Sequence, residues 1–266
     1  MSELKTRSDH MISPEFSFLE KLNAVQMHLR QEINFKPAGF EELVQLHMDE
    51  LDRILNPAIV LAVSRACGDH QGRKPEALAG IIQFIFMANQ VHRLMKDDSD
   101  MAEELRQFPV LVGDLLYGKF FLDLCREKLL PFLDPLAQVM GTMSKGGIKR
   151  WLSQGKKLNR DECLKIIEME CASLTELGAR LSAELAGVSL PLQQQIEAFG
   201  RELGLAWGAW KEHLGSTVVQ SILRRANETL NKISTESQLQ SQPLSEVYHY
   251  LEHKLSIEYN PLEAGL

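Results

Sequence analysis

Apolar residues recur at intervals of three or four through nearly the whole chain, and no alternating run of β-branched residues lasts beyond a few positions. A chain patterned in this way offers one apolar stripe per helix and nothing to cover a sheet, so the expected fold is all-α. The clearest helix begins at Asn159, whose side chain can cap a first turn while Glu162 reaches back to it. Behind that cap runs a stripe of Leu164, Ile167, Cys171, Leu174, Gly178, Leu181 and Leu185, and Gly187 is placed to close the helix.

Proline, glycine and asparagine punctuate the rest. Helices are expected over residues 17–33, 40–54, 57–67, 75–96, 109–130 and 131–141, with proline admitted in a first turn. Others are expected over 191–214, 218–233 and 244–259, the last two separated by a polar stretch at 234–242. No segment reads as a linker, and residues 77–95 are apolar around most of the helix circumference. That pattern suits a central helix wrapped by others, so residues 1–266 are read as one large helical bundle.

Charge and cysteine usage narrow the function classes. With 36 Asp plus Glu against 29 Lys plus Arg, the net charge of −7 disfavours a nucleic-acid binder. Four dispersed cysteines without a C-x-x-C pair fit a reducing cytoplasm. No apolar run is long enough to be a transmembrane segment, since Gln83, Asn89 and Gln90 interrupt the most apolar one, and residues 1–16 lack the apolar core of a secretory signal. A cytoplasmic protein is therefore expected.

No P-loop, dinucleotide-binding glycine fingerprint, H-E-x-x-H, nucleophile elbow or cysteine zinc framework is present. His249 and His253, four residues apart, read as surface histidines because no third metal ligand lies near. Lys145, Lys149, Arg150, Lys156 and Lys157 form a basic stretch suited to a diphosphate, an anionic lipid surface or an acidic partner, or simply to a solvated loop. Gly200, Gly204 and Gly208 line one helix face, where another helix could approach closely and Trp207 and Trp210 could fill the remaining space.

Four blocks in order carry a more specific signal. They are Leu94-Met95-Lys96-Asp97-Asp98, then Val110-Leu111-Val112-Gly113-Asp114, then ECLKIIEMECASLTELGARLSAELAG ending at Gly187, then FGRELGLAW from Phe199 to Trp207. In this order they resemble the trans-polyprenyl diphosphate synthases, whose L-I-H-D-D-x-x-D, A-V-L-A-G-D, K-T-bearing and F-G-x-x-L-G-x-A-F segments fill the same places. The resemblance implies the isoprenoid synthase bundle, shortened here toward the C-terminus. It also implies a chemistry in which an allylic diphosphate ionises while Mg²⁺, held between two aspartate-rich motifs, and basic side chains stabilise the departing diphosphate.

Measured against that pattern, the chain departs at the charged positions. Asp97 and Asp98 keep the first motif, but Asp100 falls one residue early, a rotation of about 100° on a helix. Where the second motif would stand are Lys211, Glu212 and Gly215, a cation in the first aspartate place and no side chain in the last. Glu170 and Cys171 replace the phosphate-binding lysine and threonine, and Asp52 to Pro57 keeps the proline and one displaced arginine, Arg53, of a G-K-x-x-R-P segment.

The resemblance accordingly implies a non-catalytic, regulatory or stabilising subunit, similar to component I of heteromeric bacterial heptaprenyl diphosphate synthases. The expected partner is a catalytic large subunit in a heterodimer, which would hold the Mg²⁺, and no cofactor is expected in this chain. The product would be a long all-trans prenyl diphosphate for a menaquinone side chain. Phe84, Phe86, Phe120 and Phe121 are the candidate interface residues. Two alternatives stay open: a self-sufficient divergent prenyltransferase using Asp97, Asp98 and Asp100, and a helical module that shelters a prenyl chain.

Overall fold

The computed structural model describes residues 16–33, 48–68, 72–94 and 103–257. These form α1 (Leu19–Ile33), α2 (Glu50–Ala66), α3 (Lys74–Arg93), α4 (Glu103–Arg126), a 3₁₀ turn (Leu130–Phe132), α5 (Leu133–Leu152) and α6 (Arg160–Ile167). A π-helical segment (Glu168–Ala172) leads from α6 directly into α7 (Ser173–Leu185), followed by α8 (Leu190–Lys211), α9 (Ser216–Glu236) and α10 (Gln242–Ile257). Among the described residues there is no strand, as the periodicity requires. No described helix is long and apolar enough to cross a membrane.

Helix α3 is the axis of the bundle. Thirteen of its 20 residues are buried, because α1, α2, α4 and α7 pack around it. Phe84, Phe86 and Phe120 belong to this core at 0–1% exposure, which removes them as interface candidates: a side chain used to close the chain's own core cannot also meet a partner. Phe121, beside Phe120 on α4, is 46% exposed and remains one.

Several helix boundaries differ from expectation, each with a local cause. Helix α2 runs through Pro57 instead of starting there. Proline removes the N–H that would reach the Arg53 carbonyl one turn earlier, and the Gln26 side-chain amide donates to that carbonyl instead, at 2.7 Å. The expected separate helix at 40–54 merges into α2 from Glu50, its residues before 48 lying outside the described ones. Likewise α4 begins at Glu103 and carries Pro109 inside it, and α5 continues past Gly141 to Leu152.

The glycine expectation holds in detail. A Cβ on Gly200 would lie 2.7 Å from the Thr175 carbonyl oxygen, one on Gly204 2.7 Å from the Ala172 Cα, and one on Gly208 2.3 Å from Ile167 Cγ2. These three absences of a side chain let α8 lie directly on the π segment and α7. Gly146 does the same on the other side, where a Cβ would come within 2.7 Å of Glu170 Cγ. The Asn159–Glu162 capping box forms, and Gly187 follows the last turn of α7 with φ +71°.

Candidate functional site

The C-terminal end of α8 meets the N-terminal end of α2. Asp49 caps α2, its Oδ1 accepting from the Asp52 backbone N–H at 2.8 Å, while Asp52 Oδ2 accepts from the Asp49 N–H at 3.1 Å. The second Asp52 oxygen, Oδ1, accepts from Lys211 Nζ at 2.5 Å. Asp52 is 1% exposed, and burial raises its carboxyl above the ordinary range although the Lys211 charge opposes the shift. Lys211 also stands 3.5 Å from Asp49 Oδ2 and 5.5 Å from the centre of the Trp207 ring. The cation in the second-motif place is thus bound to this chain's own carboxylates.

A second charge cluster joins α5, the π segment and the end of α8. Arg150 donates through Nε at 2.8 Å and Nη2 at 2.7 Å to the same Glu170 oxygen, and Nη2 also lies 2.9 Å from Glu212 Oε1. Arg93 of α3 adds a third approach to Glu170 at 3.6 Å. Burial would lower the Arg150 pKa, but its hydrogen bond and charge interactions with Glu170, with those to Glu212, carry it above the usual value. The basic stretch is therefore not a simple solvated loop: Lys145, Lys149 and Arg150 are helical, and Arg150 turns inward.

The π segment was not legible in the sequence, and it holds both Glu170 and Cys171. Its wider turn gives Glu170, at 1% exposure, a place between Gly146 and the two arginines. Cys171 is buried and its thiol is pushed up to about 12, so it is a neutral packing group with no thiolate character. Around these pairs several buried polar atoms have no protein partner: Glu170 Oε1, both side-chain atoms of Asn56, Gln83 Oε1 and Trp207 Nε1.

Of the residues singled out by sequence, the structure brings Lys211, Glu212, Glu170 and Cys171 to one end of the bundle. Asp97, Asp98 and Asp100 lie outside the described residues. Gly215 precedes α9 with φ +96° and offers no side chain. The residues missed were Asp52, Arg93 and Arg150 as partners. Asp52, in the early-motif segment, and Arg150, in the basic stretch, left a trace, but the meaning of each depended on the charge opposite, Lys211 and Glu170. For a divalent cation the second-motif end does not fit, since an ammonium and a guanidinium occupy it. Among the described residues no group of three His, Cys, Asp or Glu could hold a metal ion. His249 and His253 are exposed, as expected.

Away from the site, α4 exposes Leu111 at 64%, Phe121 at 46% and Leu122 at 39% along one side. A cavity of about 130 Å³ between α1, α3 and α4 is lined by His28, Arg73, Glu76, Asp123 and Glu127, among others.

No protein-family model matches the chain. It is 25% identical over 162 residues to octaprenyl diphosphate synthase of Escherichia coli, covering 58% of this chain and 50% of that protein. It is 25% identical over 226 residues, 76% of this chain and 62% of the other, to (2E,6E)-farnesyl diphosphate synthase of Mycobacterium tuberculosis. The chain thus spans about half to two thirds of the length of these curated relatives. Among solved structures it superposes on the polyprenyl synthase of Caulobacter crescentus complexed with calcium and isoprenyl diphosphate at a TM-score of 0.68, with 18% identity, covering 87% of this chain and 94% of that one. The geranyl diphosphate synthase small subunit of Antirrhinum majus gives 0.69 with 13% identity over 89% of this chain and 99% of that one. The chain is thus similar in sequence to these prenyl diphosphate synthases and shares the all-helical fold of the solved ones.

Proposed function

We propose that the chain is a non-catalytic subunit of a heteromeric long-chain polyprenyl diphosphate synthase, supporting a separate catalytic chain that elongates an allylic diphosphate with isopentenyl diphosphate. The observation that carries this reading is the pairing of Lys211 with Asp52 and of Arg150 with Glu170 and Glu212 at the site. Departure of diphosphate needs an uncompensated positive field from metal ions and basic side chains. Here each cation already faces a carboxylate of the same chain, and the positions that would hold Mg²⁺ carry a lysine and a glycine. The likeness to a protein named as a small subunit supports the same reading.

In this proposal Mg²⁺ and both intact aspartate-rich motifs belong to the catalytic partner, and the exposed apolar side of α4 is the surface offered to it. The product would be an all-trans heptaprenyl-type diphosphate for a menaquinone side chain, made in the cytoplasm. Co-expression with a catalytic chain bearing both aspartate-rich motifs tests it. Co-elution and product formation only by the pair are expected. Separate elution with full activity of the catalytic chain alone would sink the proposal, as would elongated product from this chain by itself with Mg²⁺, isopentenyl diphosphate and an allylic diphosphate.

A further inference from the structure

Three large apolar side chains stand out to solvent on the last turns of α5: Ile148 at 58%, Trp151 at 60% and Leu152 at 57% exposure. Their spacing of three and four places them on one helix face. Lys145 and Lys149 are exposed on that same face, one turn apart, and beyond the helix end Lys156, Lys157 and Arg160 are exposed as well. Asp161 and Glu162 are the next acids along the chain, Glu162 being engaged in the cap, where it accepts from the Asn159 N–H at 2.8 Å, and Glu170 and Glu212 are paired with Arg150. None of the five cations forms an ion pair with another described residue, whereas Arg150, in the midst of them, is turned inward onto Glu170.

This composition differs from the other exposed apolar surface. Between Leu111 and Leu122 the exposed residues of α4 include a single charge, Asp114. Protein interfaces deplete lysine at their centre, so the α4 side is suited to a protein partner. The α5 tip interleaves lysine with tryptophan, leucine and isoleucine, the composition of a segment lying at a membrane–water boundary. The chain as a whole carries −7, so attraction to an anionic surface has to be local, acting over a Debye length of about 8 Å, and residues 145–160 carry six Lys plus Arg and no Asp or Glu.

We propose that the C-terminal tip of α5 is a peripheral anchor for a bilayer rich in anionic lipid. The three apolar side chains enter the headgroup–acyl boundary, and the five cations around them meet lipid phosphates. Docking there sets the Arg150–Glu170 end of the bundle against the membrane, since Trp151 directly follows Arg150 in the helix. The proposal rests on this surface alone and is independent of the subunit reading.

The test is flotation of the full chain with phosphatidylcholine vesicles and with mixed phosphatidylcholine–phosphatidylglycerol vesicles. Binding to the anionic vesicles, none to the neutral ones, and weakening by added salt are expected. The triple variant Lys149→Gln, Lys156→Gln, Lys157→Gln should bind about a hundredfold more weakly. Trp151→Ser with Leu152→Ser should lose at least about tenfold, with thermal midpoints unchanged because all five side chains are exposed. Bound protein should show a blue-shifted tryptophan emission that Trp151→Phe removes while binding persists. No binding to anionic vesicles, or binding that both multiple variants retain, would overturn the proposal. So would an altered elution volume of the Trp151→Ser, Leu152→Ser protein with vesicle binding intact, which would make the tip a protein contact.

Discussion

Arg150 and Glu170, twenty residues apart in sequence, meet at 2.7 Å where α5 faces the π segment. Glu170 is 1% exposed, and only one of its two oxygens is bonded. A buried carboxylate of this kind persists because its cation is held beside it.

Removing the cation should therefore cost far more than removing the pair. Arg150→Met is expected to lose about 3 kcal/mol of unfolding free energy, because it leaves Glu170 buried with only the more distant Arg93. The double variant Arg150→Met, Glu170→Met should recover most of that loss. Urea denaturation of the three proteins measures it, and a single variant within about 0.5 kcal/mol of the parent would show that solvent already screens the pair.

The unbonded Glu170 Oε1 offers a gain in stability. A Cβ at Gly147 would lie 3.9 Å from it, which places a serine hydroxyl within reach. Gly147→Ser should stabilise by about 1–2 kcal/mol, part from helix propensity and part from the new hydrogen bond to a charged acceptor. Gly147→Ala, with the higher helix propensity, is the reference, and a serine variant less stable than it by about 0.5 kcal/mol or more would mean that the hydroxyl finds no partner.

Gly204→Ala should act in the opposite direction. Its methyl would meet Thr175 Oγ1 at 2.1 Å and the Ala172 Cα at 2.7 Å, and the backbone atom cannot rotate away. Parting α8 from the π segment is expected to cost about 1–3 kcal/mol, read as a lower thermal midpoint. Gly118→Ala, with nothing within 4 Å of its new methyl, is the control and should be neutral or slightly stabilising.

His28 makes stability depend on pH. Its Nε2 lies 2.7 Å from Asp123 Oδ2, and that hydrogen bond raises the imidazole pKa above its ordinary 6.5, against burial and with help from the Asp123 and Glu32 charges. A group raised in the folded state contributes fully below its unfolded pKa and loses that contribution as pH climbs through the folded one. The thermal midpoint should thus fall as pH rises above about 6.5, and His28→Gln should flatten the fall. A parallel slope in both proteins would assign it to another group.

Exposure separates two neighbouring phenylalanines. Phe121→Glu together with Leu111→Glu should leave folding intact and abolish co-elution with a catalytic partner, since both side chains face solvent in the isolated chain. Phe120→Ala, at 0% exposure, should instead cost about 3–5 kcal/mol of stability. Gel filtration and denaturation distinguish the two outcomes.

Local rules determined much of this protein. The helix class, the Asn159–Glu162 cap, the closure at Gly187 and the close approach of α8 through Gly200, Gly204 and Gly208 all follow from residue spacing, because each depends on neighbours within a turn or on one face of one helix. Glu170 and Lys211 were also legible as candidate positions from their order along the chain. Their partners were not, because Asp52 and Lys211 are 159 residues apart and only the tertiary fold, in which α7 and α10 each pack on both α2 and α8, sets one oxygen against one ammonium. Tertiary structure likewise decided that Pro57 stays inside a helix, since Gln26 from α1 accepts the duty of its missing donor. It decided as well which of two adjacent phenylalanines faces water, a matter of helix rotation against α3 that no pattern of apolar residues on α4 alone could settle.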